Sequence, residues 1–464
     1  MRFLHIMSFL LSVASAYAQQ ETLPLIHINC QECSTQFSEG TITLTENDTI
    51  TFSSHILLRH RGASSLRYQK KSFAIKLTDP QGDDIDASLL GMRSDNSWIL
   101  DAMAMDRSRM RNRVSMDLWN DFSAPPYTLQ YDSRAVNATH GKYVEVYVNH
   151  HYEGLYCLSE KIDRKQLRLK KFSGNKVRGV LYKLTSFTKM MGGGDEWYEA
   201  DNTASQWKTF EAAYPDPADG EPFDWQPLSS LIHFLTYSNT STVNRELPER
   251  IDLPVWIDYF LFVELLVADD NVGKNQYLYC YDITSQPTIS IAPWDLDATW
   301  GRDYRANAVE PQTEFTNTNR IDLFLRRVYA PTCDAYEQRY QQLRTTTFHP
   351  DSLCQRFNTL YNLLSRTGAL DRETKRWNGT DGITLDFPSE RIYINQWINH
   401  RIAALDQKYH YMPEQRQPRA DNRTLTSPII CDIVGNRINT RNAGSSQQLT
   451  QGIYIINGKK IIIK

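Results

Sequence analysis

The sequence predicts an α+β protein, on three observations. The first 160 residues carry runs in which apolar and polar residues alternate, the mark of half-buried strands. Residues 320–410 carry amphipathic helical spacing with few glycines. Between them, two short apolar runs at 276–281 and 288–292 read as a strand pair flanked by acidic residues. Strands followed by helices, with a short β tail, give the α+β class.

The elements follow in chain order. Residues 1–18 read as a secretory leader: Arg2 gives the charged start, residues 3–13 an apolar stretch, and Ala16-Tyr17-Ala18 a small-x-small cleavage site. The mature chain is then expected to start at Gln19. Residues 24–60 look like strands, with Thr41, Thr43 and Thr45 alternating with Ile42 and Leu44. Residues 72–77 form another, with Phe73, Ile75 and Leu77 on one face and Ala74 and Lys76 on the other. Residues 103–122 place Met103, Met110, Val114, Leu118 and Phe122 on a helical stripe. Residues 143–148 and 154–160 read as a hairpin. Gly192-Gly193-Gly194 lacks the spacing of a phosphate-cradling loop and reads as a flexible connection. Residues 255–268 form an apolar helix. A polar linker is expected at 411–427, and residues 428–464 return to short strands. The expected domains are therefore a leader (1–18), a main domain (19–410), the linker and the β tail.

Composition narrows the function classes. The 464 residues are 41% hydrophobic and 23% charged, the balance of a folded chain with a substantial core. The net charge of −3 leaves no basic surplus to neutralise phosphates along a nucleic acid, so that partner class is not expected. No run reaches the roughly 18 apolar residues of a membrane-spanning helix, so none is expected. Seven cysteines in an exported chain invite pairing. Cys30 and Cys33 form a lone C-x-x-C, expected as a local disulfide or two thiols, and Cys333 and Cys354 bracket a helical stretch that a bridge would span.

The most informative stretch runs from 269 to 301. Asp269-Asp270-Asn271 and Lys274-Asn275 precede one strand, and Pro293-Trp294-Asp295-Leu296-Asp297 ends the other. A hairpin so built brings Asp270, Asn275, Asp295 and Asp297 to one end. Mg²⁺ needs hard oxygen ligands, usually one or two carboxylates plus substrate phosphates. A hydroxyl nucleophile needs a carboxylate to take its proton. Protein kinases meet both needs with an Asp, an Asn five residues later, and a second Asp after a hairpin. Asp270, Asn275 and Asp295 have that spacing, with Asp269 leaving the register open by one residue. Asp and Asn also cap helices and start turns, and a calcium site would use similar residues.

A cation for the phosphates is also needed. Arg61-Gly62-Ala63-Ser64-Ser65 precedes Lys70-Lys71-Ser72-Phe73-Ala74-Ile75-Lys76, whose Ala-Ile-Lys end is similar to the kinase strand bearing the phosphate-binding lysine. The plain alternative is a surface lysine on an amphipathic strand. Glu160, at the end of the second hairpin strand, is the candidate ion partner for that lysine.

Together these blocks resemble the CotH kinase family, secreted or spore-coat proteins with an atypical protein-kinase-like fold. Further blocks carry the resemblance: Leu90-Gly91-Met92, Trp98-Ile99-Leu100, Asp106, Arg111-Asn112, Val146-Tyr147-Val148-Asn149, Gly154-Leu155-Tyr156, Glu160-Lys161-Ile162-Asp163 and Gly301. They occur in family order over about residues 24–410, and Pro-Trp-Asp-x-Asp is the strongest single mark. The resemblance implies transfer of the ATP γ-phosphoryl group to a protein serine, or another hydroxyl such as a glycan's, with Mg²⁺ or Mn²⁺. It implies that Asp270 is the catalytic or metal-binding acid, that Asn275 and Asp295 are metal ligands with Asp297 beside them, and that Lys76 or Lys71 holds phosphate with Arg61. Ala63 departs from the family's usual Asn. The tail, from Asp432-Ile433-Val434-Gly435-Asn436-Arg437 to Gly452-Ile453-Tyr454-Ile455-Ile456-Asn457-Gly458, resembles the end of a type IX secretion sorting segment of Bacteroidota and implies secretion machinery as a partner. Two function classes stand: a secreted or cell-surface kinase, and a non-catalytic surface protein on a kinase-like scaffold.

Overall fold

The computed structural model describes residues 21–185, 199–207, 209–285, 287–314, 327–328 and 332–412, with the backbone of three short strands beyond them. The chain begins with β1 (Leu25–Cys30), β2 (Ser38–Glu46), β3 (Thr49–Arg61) and β4 (Ser72–Thr78). A small ribbon, β5 (Ala87–Ser88) with β6 (Ser94–Asp95), leads into β7 (Ser97–Asp101). Helix α1 (Arg111–Phe122) then precedes the hairpin β8 (Gly141–Val148) and β9 (His151–Ser159).

Seven of these strands close a barrel in the order β1-β2-β3-β4-β7-β9-β8, with β8 returning parallel to β1 from Leu25↔Glu145 to Ile28↔Val148. Closure removes exposed sheet edges. Alternation fills the interior: Phe73, Ile75 and Leu77 of β4 meet Ile26, Ile28, Ile56, Leu58, Trp98 and Leu158. The face predicted for residues 72–77 is thus the buried one. Leu58 has no exposed surface, and truncation to Ala would cost about 2–5 kcal/mol in lost burial and cavity formation.

Helix α1 starts later than its apolar stripe suggests. Met103 and Arg109 have φ of 50° and 57°, in the left-handed region, so a right-handed helix cannot run through them. Asp106 sets the start instead, accepting the amides of Met110 at 2.8 Å and Arg111 at 2.7 Å.

Beyond β9 come α2 (Arg164–Leu167), β10 (Val180–Leu184), β11 (Gln206–Trp207) and β12 (Phe210–Tyr214). Helices α3 (Gln226–Tyr237), α4 (Thr240–Arg250), α5 (Leu253–Leu266) and the single turn α6 (Asp270–Gly273) follow, then β13 (Gln276–Cys280) and β14 (Ser290–Pro293). The predicted strand pair is β13–β14, and it belongs to a second antiparallel sheet ordered β11-β12-β10-β13-β14. The sequence reading did not anticipate β10–β12 or helices α3 and α4. Helix α5 is buried on nearly every side, which explains its unbroken apolar run.

The predicted helical stretch resolves, among the described residues, into α7 (Cys333–Arg344), α8 (Pro350–Arg366), α9 (Ala369–Trp377) and α10 (Phe387–Lys408). Proline in the first turn opens α8 and α10, and Gly368, at φ 71°, separates α8 from α9. The tail contributes β15 (Ile430–Cys431), β16 (Gly452–Ile456) and β17 (Lys459–Ile463), paired antiparallel. The expected leader, the triple glycine and most of the linker lie outside the described residues. Among the described residues no helix is long and apolar enough to cross a membrane.

Of the cysteine expectations, the bridge between Cys333 and Cys354 needs correction, while Cys30 and Cys33 take the two-thiol alternative. Cys30, Cys33, Cys157, Cys280, Cys333 and Cys354 are all free thiols. Cys333 is exposed at the start of α7, whereas Cys354 lies within α8 with its sulfur 3.8 Å from Asn399 Nδ2, so no bridge spans them. Cys30 and Cys33 are adjacent thiols, and burial together with Cys30 pushes the Cys33 thiol up to about 12.

Candidate functional site

The acidic end of the β13–β14 hairpin is assembled by its backbone. Gln276 pairs with Pro293, so Asn275 and Trp294 lie just beyond the ladder, joined by Trp294 N–H donating to the Asn275 carbonyl at 3.2 Å. Asn271 fastens this end. Its side-chain amide donates to the carbonyls of Asn275 at 3.0 Å and Trp294 at 2.6 Å, and its own carbonyl accepts the Tyr259 hydroxyl at 2.6 Å. Asn271 is fully buried, so these bonds replace water that cannot reach it. Asn275 and Asp295 sit in the left-handed region, at φ 55° and 56°. Strained backbone of this kind persists where the surroundings hold it, and it clusters at functional sites.

The barrel meets this end through Asp101, the last residue of β7. Asn112 donates to Asp101 Oδ2 at 2.9 Å and accepts the Leu296 amide at 3.1 Å, so one side chain links barrel and acidic loop. Asp101 Oδ1 also accepts the Met103 amide at 3.0 Å. Arg61, ending β3, lies over the Trp294 ring at 5.5 Å.

Electrostatically the site is crowded with like charge. Asp295 is exposed to solvent, yet its carboxyl is pushed up to about 6, first by the surrounding protein, then by Asp101 and Asp270, against the pull of Arg61 and Lys274. Asp297 is half-buried and also raised, by burial and then by Asp295, Asp101, Asp106 and Asp270. Asp270 is buried; Oδ2 pairs with Lys274 Nζ at 2.9 Å, while Oδ1 is buried with no hydrogen-bond partner.

Among the described residues, no three His, Cys, Asp or Glu side chains are grouped tightly enough to hold a metal ion by themselves. That is compatible with a nucleotide-borne ion, because Mg²⁺ keeps several waters and takes one or two carboxylates plus phosphate oxygens. The orphaned Asp270 Oδ1 and the solvent-facing Asp295 are hard oxygen donors of the type such an ion takes.

Three expected phosphate-site residues are occupied elsewhere. Lys71 donates to the backbone carbonyls of Leu66 and Tyr68, so it fastens the turn after Arg61. Lys76 is exposed and lies over the Phe37 ring at 5.4 Å. Among the described residues Glu160 pairs with no lysine. It accepts the amides of His140 at 2.8 Å and Arg93 at 3.1 Å, and the Gln166 side chain at 2.9 Å. Burial alone would raise its pKa, but the bonds from His140 and Arg93 win and hold it at about 2.

The buried lysine of the Lys70-Lys71 pair is Lys70. Its ammonium meets Glu373 at 2.7 Å, and Arg109 meets the same carboxylate at 2.8 Å. Burial pushes Lys70 down to about 8 despite Glu373. Gly154 (φ 112°) packs where any side chain would collide with Glu373 and Trp377. Arg111 forms the second buried network, meeting Asp106 at 2.7 Å, Glu390 at 2.6 Å and the Thr299 carbonyl at 2.8 Å. Beside it, Gly301 (φ 88°) lies so close to Tyr393 and Trp397 that a Cβ would fall within 2.8 Å of both.

The structure therefore brings Asp270, Asn275, Asp295 and Asp297 to one end with Arg61, but not Lys71, Lys76 or Glu160. Sequence reasoning missed Asp101, Asn112 and Asn271 as site builders. Asp101 follows Trp98-Ile99-Leu100 directly, and Asn112 and Asn271 sit inside blocks already singled out, but nothing in one sequence ties them to each other.

A family model described as CotH kinase protein matches residues 58–405. A curated relative, the inner spore coat protein H of Bacillus subtilis (strain 168), is 22% identical over 246 residues, 53% of this chain. The match spans 59% of that relative's length. With three quarters of its length under the family model and the acidic hairpin inside the match, the chain belongs to the CotH kinase family.

Proposed function

We propose that this protein is a kinase-like phosphotransferase that moves the γ-phosphoryl group of ATP to a hydroxyl acceptor on a protein or glycan. The observation that carries this is the gathering of Asp101, Asp270, Asp295 and Asp297 at one end of the β13–β14 hairpin with Arg61 and Lys274 as the opposing charges. Such an excess of carboxylate is costly unless a cation joins it. A divalent ion, Mg²⁺ or Mn²⁺, would be held by Asp295 with Asn275 or Asp297, and would neutralise charge on the transferred group. Asp270, fixed by Lys274, takes the acceptor's proton as its oxygen bonds to the γ-phosphorus and the bond to the β-phosphate oxygen breaks, releasing ADP. Arg61 supplies the phosphate-facing cation, and Trp294 beneath it presents an aromatic face. In this reading the barrel and the helical part form the two sides of a kinase-like cleft. Residues 1–18 direct export, residues 428–464 serve as a sorting tail, and the protein works at the cell surface.

One observation favours a second reading, a non-catalytic surface protein: Lys71 and Lys76 are both engaged away from the acidic end. Incubation with γ-labelled ATP and Mn²⁺ or Mg²⁺, with casein and the protein itself as acceptors, separates the two. The kinase reading expects label transfer that is lost in Asp270→Asn and in Asp295→Asn. Nucleotide binding at this end without transfer would favour the second.

A further inference from the structure

A cavity of about 330 Å³ opens at the far end of β7. It is lined by the β5–β6 region, by Asp132 and Arg134, and by α2 with Arg168 and Leu169 just beyond it. Strand β7 runs from this end to Asp101, about 13 Å at a strand's rise, so the cavity is separate from the acidic cleft. Its lining is basic. Arg93, Arg134 and Lys165 are neutralised there, by Asp163, Asp132 and Asp86 respectively. Arg164 and Arg168 are not: among the described residues neither has a carboxylate within ion-pair distance. Arg164 stacks its guanidinium over the Tyr214 ring at 5.8 Å and makes one long bond, 3.4 Å, to the Leu169 carbonyl. Arg168 Nε is buried without a hydrogen-bond partner, and its charge reaches Asp132 across the cavity. A buried guanidinium nitrogen left unpaired is costly, and an occupant that accepts from it removes the cost.

We propose that this cavity is a binding site for a phosphate dianion, free or borne on a side chain, held by the guanidinium groups of Arg164 and Arg168. Arg164 opens α2 and Arg168 caps its end in the left-handed region, at φ 57°, and both line this one cavity. Guanidinium forks match the oxygens of a phosphoryl group with paired donors, which a point charge does not. The site does not depend on the phosphotransfer reading. Two sources share the chemistry: free phosphate, and a phosphorylated side chain of a bound protein.

Calorimetric titration of the full chain with inorganic phosphate, with chloride adjusted to constant ionic strength, tests it. Saturable binding is expected in the wild type and equally in Asp295→Asn, weakened about tenfold or more in Arg164→Gln/Arg168→Gln. No saturation by the wild type, or equal affinity in the double variant, would overturn the site. Should the double variant fail to fold by circular dichroism, Arg168→Gln alone and a phosphate-soaked crystal carry the test, and phosphate density away from Arg168 overturns it. A phosphoseryl peptide binding more tightly than inorganic phosphate assigns the site to a protein-borne group; equal binding assigns it to free phosphate. Loss of this site leaves the acidic-cleft reading intact, and the reverse.

Discussion

Two ionic regions on either side of the same loop are built on opposite rules. Around Arg111 and Glu373, buried charge is matched: Asp106 and Glu390 share one guanidinium, and Lys70 and Arg109 share one carboxylate. At the hairpin end a few residues away, Asp295 and Asp297 face Asp101 and Asp270, and their carboxyl groups are pushed up rather than down. Matched networks hold elements together, since breaking one strands a buried charge. Acids that push one another up give no such stabilisation, and under the proposed function a divalent cation would offset their repulsion. The first region is the frame, and it fixes the loop that carries the second.

The comparison can be broken from the frame side first. Arg111→Ala would leave Asp106 and Glu390 buried without their partner and cost about 3–5 kcal/mol, read as a lowered midpoint in urea unfolding. Glu160→Gln would cost less, about 3 kcal/mol at neutral pH, from the loss of its low carboxylate pKa. The sign follows from linkage: the folded protein holds Glu160 ionised down to about 2, whereas the unfolded chain takes up the proton near 4.5. The contribution is whole above that value and fades as pH falls toward 2, so variant and wild type should converge in acid melts.

Site substitutions should go the other way. Asp295→Asn removes a like charge, so the metal-free protein should melt at the same temperature or slightly higher. The gain should be largest above about pH 6, where the wild-type carboxyl is ionised, and vanish below pH 4. Its size is held to about 1 kcal/mol or less by solvent at this exposed position. A clear destabilisation would place Asp295 in the frame instead. Lys76→Ala should change melting by less than about 0.5 kcal/mol and leave nucleotide affinity unaltered, because Lys76 lies exposed on Phe37. Loss of nucleotide binding in that variant would restore it as the phosphate lysine.

The same division decides what the sequence made legible. Strands β1–β4 and the β8–β9 hairpin announce themselves because one face of each is a core, and alternation records it. The acidic hairpin is legible because its carboxylates lie close in sequence. Strand β10 was not, because a strand buried on both faces loses its alternation, as the burial of Val180, Leu181 and Tyr182 in succession shows. Asp101 joins the acidic end only through Asn112, whose bond to the Leu296 amide spans a sequence separation no local pattern encodes. The lysine is the least legible of the site residues for a related reason: Ala74-Ile75-Lys76 has the local pattern, but barrel closure leaves that strand face outside with Phe37.

The central claim is that the hairpin's aspartates form a metal–nucleotide site. A thermal-shift titration of residues 19–464 with ATP, with and without Mg²⁺ or Mn²⁺, beside Asp295→Asn, tests it most directly. The account predicts a metal-dependent rise in melting temperature that saturates in ATP and disappears in the variant, since a ligand bound only by the native state stabilises it. No rise at millimolar ATP, or an equal rise in Asp295→Asn, would contradict it.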